Sequence, residues 1–134
     1  MAWELPNFKP GGLKATSTLA TKQFYCVKID ASNNNQVVIC SAVGEVVAGI
    51  LQNAPIAGGE AEIMMSGISK ALVGTTVVAG DRWNVDANGK IEPTSTSNTA
   101  ADVGDWVGGI VLEGAAAGEY ATVTIGLHTA YVAA

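Results

Sequence analysis

Ala121, Val123, Ile125 and Leu127 fall on one parity of the chain and Thr122 and Thr124 on the other, a two-residue period that predicts a strand with one buried face. Ala61, Ile63 and Met65 show the same parity about sixty positions earlier. Phe24–Asp30 and Gln36–Ser41 are rich in aromatic and β-branched residues and flank Ala31-Ser-Asn-Asn-Asn35, which predicts a hairpin whose Asn-rich loop suits positive φ. A loop centred on Asn33 sets Cys26 across from Cys40. That pair reads either as a cross-strand bridge or as two small buried thiols. Further strands are expected over Leu72–Ala79 and Gly80–Val85. Asp86-Ala-Asn-Gly-Lys90 then reads as a tight turn, with Asp first, Gly89 in the left-handed position and Val85 facing Ile91. Pro93–Thr99 is a polar surface loop. No stretch carries a sustained helical stripe, and the nearest candidate, Ala54–Ala61, is broken by a proline and a glycine pair.

The chain repeats itself. Val43-Gly-Glu-Val-Val-Ala-Gly-Ile50 aligns without a gap on Val103-Gly-Asp-Trp-Val-Gly-Gly-Ile110, and Ala57-Gly58 on Ala117-Gly118. Past Met65 the alignment needs a one-residue slip, after which Gly67 meets Gly126 and Ala71 meets Ala130. Each unit therefore reads as strand, small-residue turn, strand, glycine break. The expected fold is all-β: one small domain over 21–134, built from two pseudo-repeated halves at about 21–71 and 80–130, preceded by an extended N-terminal arm over 1–20.

Composition narrows the function. The chain is 49 % hydrophobic and 14 % charged, well below the roughly 25 % charge of an ordinary soluble domain. Either alanine and glycine inflate the apolar count, or apolar surface is buried between subunits. No run of eighteen apolar residues reads as a membrane span, and the opening Met-Ala-Trp-Glu-Leu-Pro lacks the basic head and apolar stretch of a signal peptide. A net charge of -5 argues against direct contact with nucleic acid. Trp3, Leu5 and Phe8 are large apolar groups in a segment unsuited to regular structure. They either fold back on the domain or anchor on a neighbouring chain, and the second is the expectation carried forward.

Candidate chemistry is sparse. His128 is the single histidine, and with Cys26 and Cys40 it lacks the spacing of a zinc site. Gly11-Gly12, Gly58-Gly59 and Gly108-Gly109 are followed by no Lys-Ser/Thr and fit turns and close strand approach. Glu45 and Asp105 hold matched positions of the repeat, which sets them apart in a pseudo-twofold domain instead of pairing them. Trp83 and Trp106 fit the core; with the polar loop at 94–99 they are also the alternative reading, a carbohydrate-binding β-sandwich displayed on a virion or cell surface. No catalytic group, cofactor or metal is expected.

One phrase carries a resemblance. Val107-Gly-Gly-Ile-Val-Leu-Glu-Gly-Ala-Ala-Ala-Gly-Glu119, followed by an alternating strand, resembles the motif of tailed-phage capsid cement proteins, also called head decoration proteins. Gly80-Asp-Arg-Trp-Asn-Val-Asp-Ala-Asn-Gly-Lys90 resembles that family's strand and hairpin. The likeness spans about residues 40–130, and the first repeat departs from it where Asn53-Ala-Pro-Ile56 replaces the acid and alanines. It implies a small β-barrel or β-tulip-like domain on the outside of an expanded phage head. There, as a homotrimer assembled in the host cytoplasm, it would stabilise contacts between subunits of the major capsid protein, with Trp3, Leu5 and Phe8 as the capsid-binding arm.

Overall fold

The computed structural model describes residue 2, residues 11–94 and 106–126, and the backbone of 5–8 and 129–130. Among these residues every regular element is a strand, as the alternation required. In chain order they are Leu5–Phe8 (β1), Lys14–Ala15 (β2), Cys26–Ile29 (β3), Gln36–Ile39 (β4), Gly49–Leu51 (β5), Ile63–Met64 (β6), Ser66–Leu72 (β7), Arg82–Val85 (β8), Ile91–Pro93 (β9), Trp106–Val107 (β10), Gly109–Glu113 (β11), Tyr120–Ile125 (β12) and Thr129–Ala130 (β13).

The first half closes on itself. β3 and β4 form the expected hairpin, Val27 opposite Ile39, and Cys40 N–H donates to Cys26 O across it. Both thiols are buried and free. β5 pairs with the other edge of β3 and turns back into β6, with Leu51 opposite Ile63. β2 lies parallel to β4. Its second edge meets the approach to β6: Ala15 N–H donates to Gly59 O at 2.9 Å, Gly58 N–H to Ala15 O at 2.8 Å and Ala61 N–H to Leu13 O at 2.9 Å. Five strands thus form a ring without an open edge on its hydrogen-bonded circuit, the all-β way of avoiding exposed ladders.

The second half repeats most of that circuit, although Leu72 N–H, the counterpart of the Lys14 N–H that donates to Asn35 O, donates to Phe24 O of the first half. Val73, continuing β7, bridges Ile91 in parallel as Ala15 bridges Val37. Val73 N–H donates to Glu119 O and Gly118 N–H to Val73 O, the counterparts of the Ala15 bonds. Trp83 pairs with Gly109 and Pro93 as Val27 pairs with Gly49 and Ile39. Val111 faces Val123 as Leu51 faces Ile63. The hairpin tips correspond as well: Asp30 accepts from Ser32 N–H and Asp86 from Asn88 N–H, and Asn35 (φ 59°) stands where Gly89 (φ 79°) stands. Five residues separate Asp30 from Gln36 and three separate Asp86 from Lys90, so a gap-free sequence comparison misses this part of the repeat.

Inside the first ring the buried set is Ala15, Leu19, Val27, Val37, Leu51, Ala61 and Ile63; inside the second it is Val73, Val77, Trp83, Ile91, Val111, Ala121 and Val123. Burying each larger side chain of these sets stabilises by roughly 1.5–3 kcal/mol. The strands that join the rings are buried on both faces. Val27, Leu51 and Ile63 point into the first ring, while Cys26, Ile50 and Met64 belong to the cluster that fills the second. That arrangement explains the unbroken burial of β5 and β6.

Part of the expected arm is structural. Leu13 to Ala15 and Leu19 belong to the first ring and its core, because β4 and the 58–61 segment leave a strand-wide gap that only this stretch fills. Ahead of it, the backbone of Leu5–Phe8 pairs antiparallel with β7 of the same chain, Leu5 opposite Ile68 and Phe8 opposite Ser66. Pro6 suits this outermost strand because it has no N–H to leave unpaired. Trp3 and the side chains of Leu5 and Phe8 lie outside the described residues.

Candidate functional site

Below the Val27 and Gly49 pair the strands of the first ring part company. Ala48 N–H still reaches Val27 O at 2.9 Å, but Lys28–Ile29 and Glu45–Val47 then diverge around a slot of about 460 Å³ floored by Met65. The chain direction at its lip is set by Glu45, whose carboxylate accepts from Ser41 and Ala42 N–H and pairs with Lys28 Nζ at 2.8 Å. Burial raises the Glu45 pKa, but the Lys28 bond and the two N–H donors outweigh it and hold the carboxyl below its ordinary value. Ile29 and Val46, about half exposed at 49 % and 51 %, give the mouth apolar walls.

The backbone inside the slot is open. Cys40 N–H to Cys26 O and Asp30 N–H to Gln36 O fix which residues of β3 face β4, and by alternation Ile29 turns its N–H and C=O the other way, toward the slot. Val46 N–H has no hydrogen-bond partner among the described residues. A wall of this kind accepts an extended segment or a turn through main-chain bonds, with side-chain selection by the apolar lining. A second concavity of about 370 Å³, lined by Lys70, Glu113, Glu119 and Tyr120 among others, is more polar. Beside it Phe24 meets Tyr120 edge to face at 5.5 Å.

The residues singled out in the sequence are dispersed. Trp83 is fully buried and donates its Nε1–H to Thr124 O at 3.0 Å, so it fills the core and offers no ring to a sugar. Trp106 is half-buried on β10. Asp105, His128 and positions 95–99 of the polar loop lie outside the described residues. Glu45 is engaged with Lys28. Cys26 and Cys40 are inert: burial, then the neighbouring Cys40, pushes the Cys26 pKa well up, and burial raises that of Cys40 to about 12. Gly109 serves close approach, since a β-carbon there would overlap Thr124 O, and Gly58 takes a positive φ of 76° at its turn. Among the described residues no three of His, Cys, Asp and Glu stand together. The slot itself was not foreseen.

No protein-family model and no curated protein sequence matches the chain. Among solved structures the fold is similar to the head fiber gp8.5 N base in bacteriophage phi29, with a TM-score of 0.66 and 15 % identity over 89 % of this chain and 93 % of that one. At such identity the likeness is one of fold.

Proposed function

We propose that the protein is a structural component of a tailed-phage head, seated on the outer surface of the expanded shell, where it cements neighbouring subunits of the major capsid protein. One observation carries the reading: nearly the whole chain shares its fold with the N base of a phage head fiber. The cement-like phrase at 107–119 also supports it; that stretch forms β11 and the turn that leads into β12 in the second ring. The physics is compatible. Two fused rings with few charges make a stiff plug, and many copies on one shell turn modest contacts into large collective stability. The protein acts by binding, without a chemical step.

Attachment and cementing separate experimentally. Expanded heads lacking the protein are incubated with it, sedimented, and heated while DNA release is followed. Co-sedimentation with a raised release temperature is the expected result. Co-sedimentation without that rise removes the cement role, and no co-sedimentation removes the capsid reading. Replacing Trp3, Leu5 and Phe8 together by alanine, which keeps the backbone of β1 on β7, tests them as the attachment arm: capsid binding should fall by more than tenfold while the melting temperature of the free protein changes little.

A further inference from the structure

Gly44 is where the first half grips the second. It is buried although Val43 beside it is exposed, and it stands at φ 69°, a conformation that favours glycine. Its N–H donates to Val85 O at 2.9 Å and its carbonyl accepts from Trp106 N–H at 2.8 Å, so the turn joins the end of β8 to the start of β10. At the matched place in the first ring the strands at Ile29 and Val46 diverge around the slot of about 460 Å³.

One side chain shapes that turn. Its own main-chain closure is weak, Glu45 N–H to Ala42 O at 3.4 Å. The Glu45 carboxylate supplies the rest: Oε1 accepts from Ser41 and Ala42 N–H, and Oε2 pairs with Lys28 Nζ at 2.8 Å, which ties the turn to β3. Hydrogen bonds to an ionised acceptor are roughly twice as strong as neutral ones, so the shape of the turn depends on the charge. Among the described residues the titratable groups that face the carboxylate are Lys28 from β3 and the Cys40 thiol from the end of β4. We infer that Glu45 is a latch between the rings: charged, it holds the Val43-Gly44 turn on Val85 and Trp106; protonated, it lets the turn withdraw and frees β10. The second ring then opens at Trp106 as the first is open at Val46. The rings do not come apart, because Cys26 N–H to Gly89 O at 2.7 Å and Leu72 N–H to Phe24 O at 3.1 Å join them elsewhere. Burial pushes the Glu45 carboxyl up, but the Lys28, Ser41 and Ala42 bonds prevail and lower it from 4.5. The latch is therefore complete above about pH 5 and releases as the pH falls through the depressed value.

This goes beyond the capsid reading and is tested on the free full-length chain. Amide exchange followed by NMR gives a protection factor for each N–H. Gly44 and Trp106 report the latch, while Leu51 and Val111, bonded to Tyr25 O and Asp81 O, report one ring each. At pH 7 Glu45→Ala should lower the protection of Gly44 and Trp106 by at least about tenfold and leave that of Leu51 and Val111 unchanged. The wild type should lose the same protection as the pH falls below about 4. Glu45→Gln keeps an acceptor for Ser41 and Ala42 but no charge, so its two latch amides should hold an intermediate protection that does not change over that range. Three results would each overturn the inference: equal loss at all four amides in Glu45→Ala, no loss at Gly44 and Trp106, or a Glu45→Gln protein with the wild-type pH profile. If Glu45→Ala fails to fold, Lys28→Met, which removes only the ion pair, should loosen the same two amides and takes its place.

Discussion

Trp83 lies across the face of Gly108, so close that a β-carbon on the glycine would fall within the indole. In the first ring the matched pair is Val27 and Ala48, joined by the same bond from the N–H of the small residue to the carbonyl of the large one. One ring holds a large residue over glycine and the other a smaller one over alanine, which is compensation of volume at a fixed backbone. Gly108→Ala should therefore destabilise by about 1–3 kcal/mol through overpacking. Trp83→Val alone should cost roughly 3 kcal/mol by leaving a cavity. The double variant, which copies the first ring, should be more stable than the sum of the two costs allows, by at least 1 kcal/mol. Urea unfolding of the four proteins measures it, and strict additivity would refute the pairing.

Phe24 occupies a left-handed conformation, φ 67°, where the second ring has Gly80 at φ 93°. Both N–H groups make the same bond, to Leu51 O and Val111 O. Phenylalanine tolerates that conformation because its ring packs on Tyr120 and under Lys70. Removing the ring with the strain left behind should cost more than removing both, so Phe24→Gly should melt above Phe24→Ala although glycine is the smaller residue. At Gly80, where a β-carbon has open space, Gly80→Ala should cost about 1 kcal/mol from backbone strain alone.

Asp30 and Glu45 set the acid limit. Asn33, Ser32 and Thr16 hydrogen bonds lower the Asp30 pKa from 3.8, and at Glu45 the Lys28 and N–H bonds prevail over burial to lower it from 4.5. Carboxyls depressed in the folded state stabilise it fully above their unfolded values, and that contribution disappears as pH falls through the depressed ones. Melting temperature should hold above about pH 5 and fall below about pH 4. Glu45→Gln should fall less steeply over the same range; an identical slope would remove Glu45 from this account.

Cys26 and Cys40 should resist alkylation in the native protein at pH 8 and react at once in denaturant. Both thiols are buried, with pKa values pushed above 9.0. Raised pKa values stabilise the fold below the ordinary thiol range and cease to do so as pH climbs toward the folded values, so stability should decline above about pH 9. Native reactivity within minutes would place one thiol at the surface.

The register of the first hairpin could be read from the chain because Asn-rich loops and alternating β-branched residues are local signals. The sums of positions that set Cys26 opposite Cys40 needed nothing else. The Asp86–Lys90 turn was legible for the same reason, and Gly89 takes the expected positive φ. The slot was not legible. Val46 and Trp106 are aligned by the repeat, yet one N–H is open and the other bonded, and nothing within either copy of the sequence distinguishes them.

By itself the sequence determined the strands, their turns and the existence of a duplicated unit, since alternation, turn chemistry and self-similarity act over a few residues. Only the tertiary structure decided that each unit closes as a ring, that Leu13–Ala15 completes the first, and that Gly44 reaches into the second. Those facts depend on main-chain groups meeting across long separations, and a backbone N–H or C=O is the same in every residue that carries it. Side chains record what a strand is; they do not record which distant strand its free edge will find.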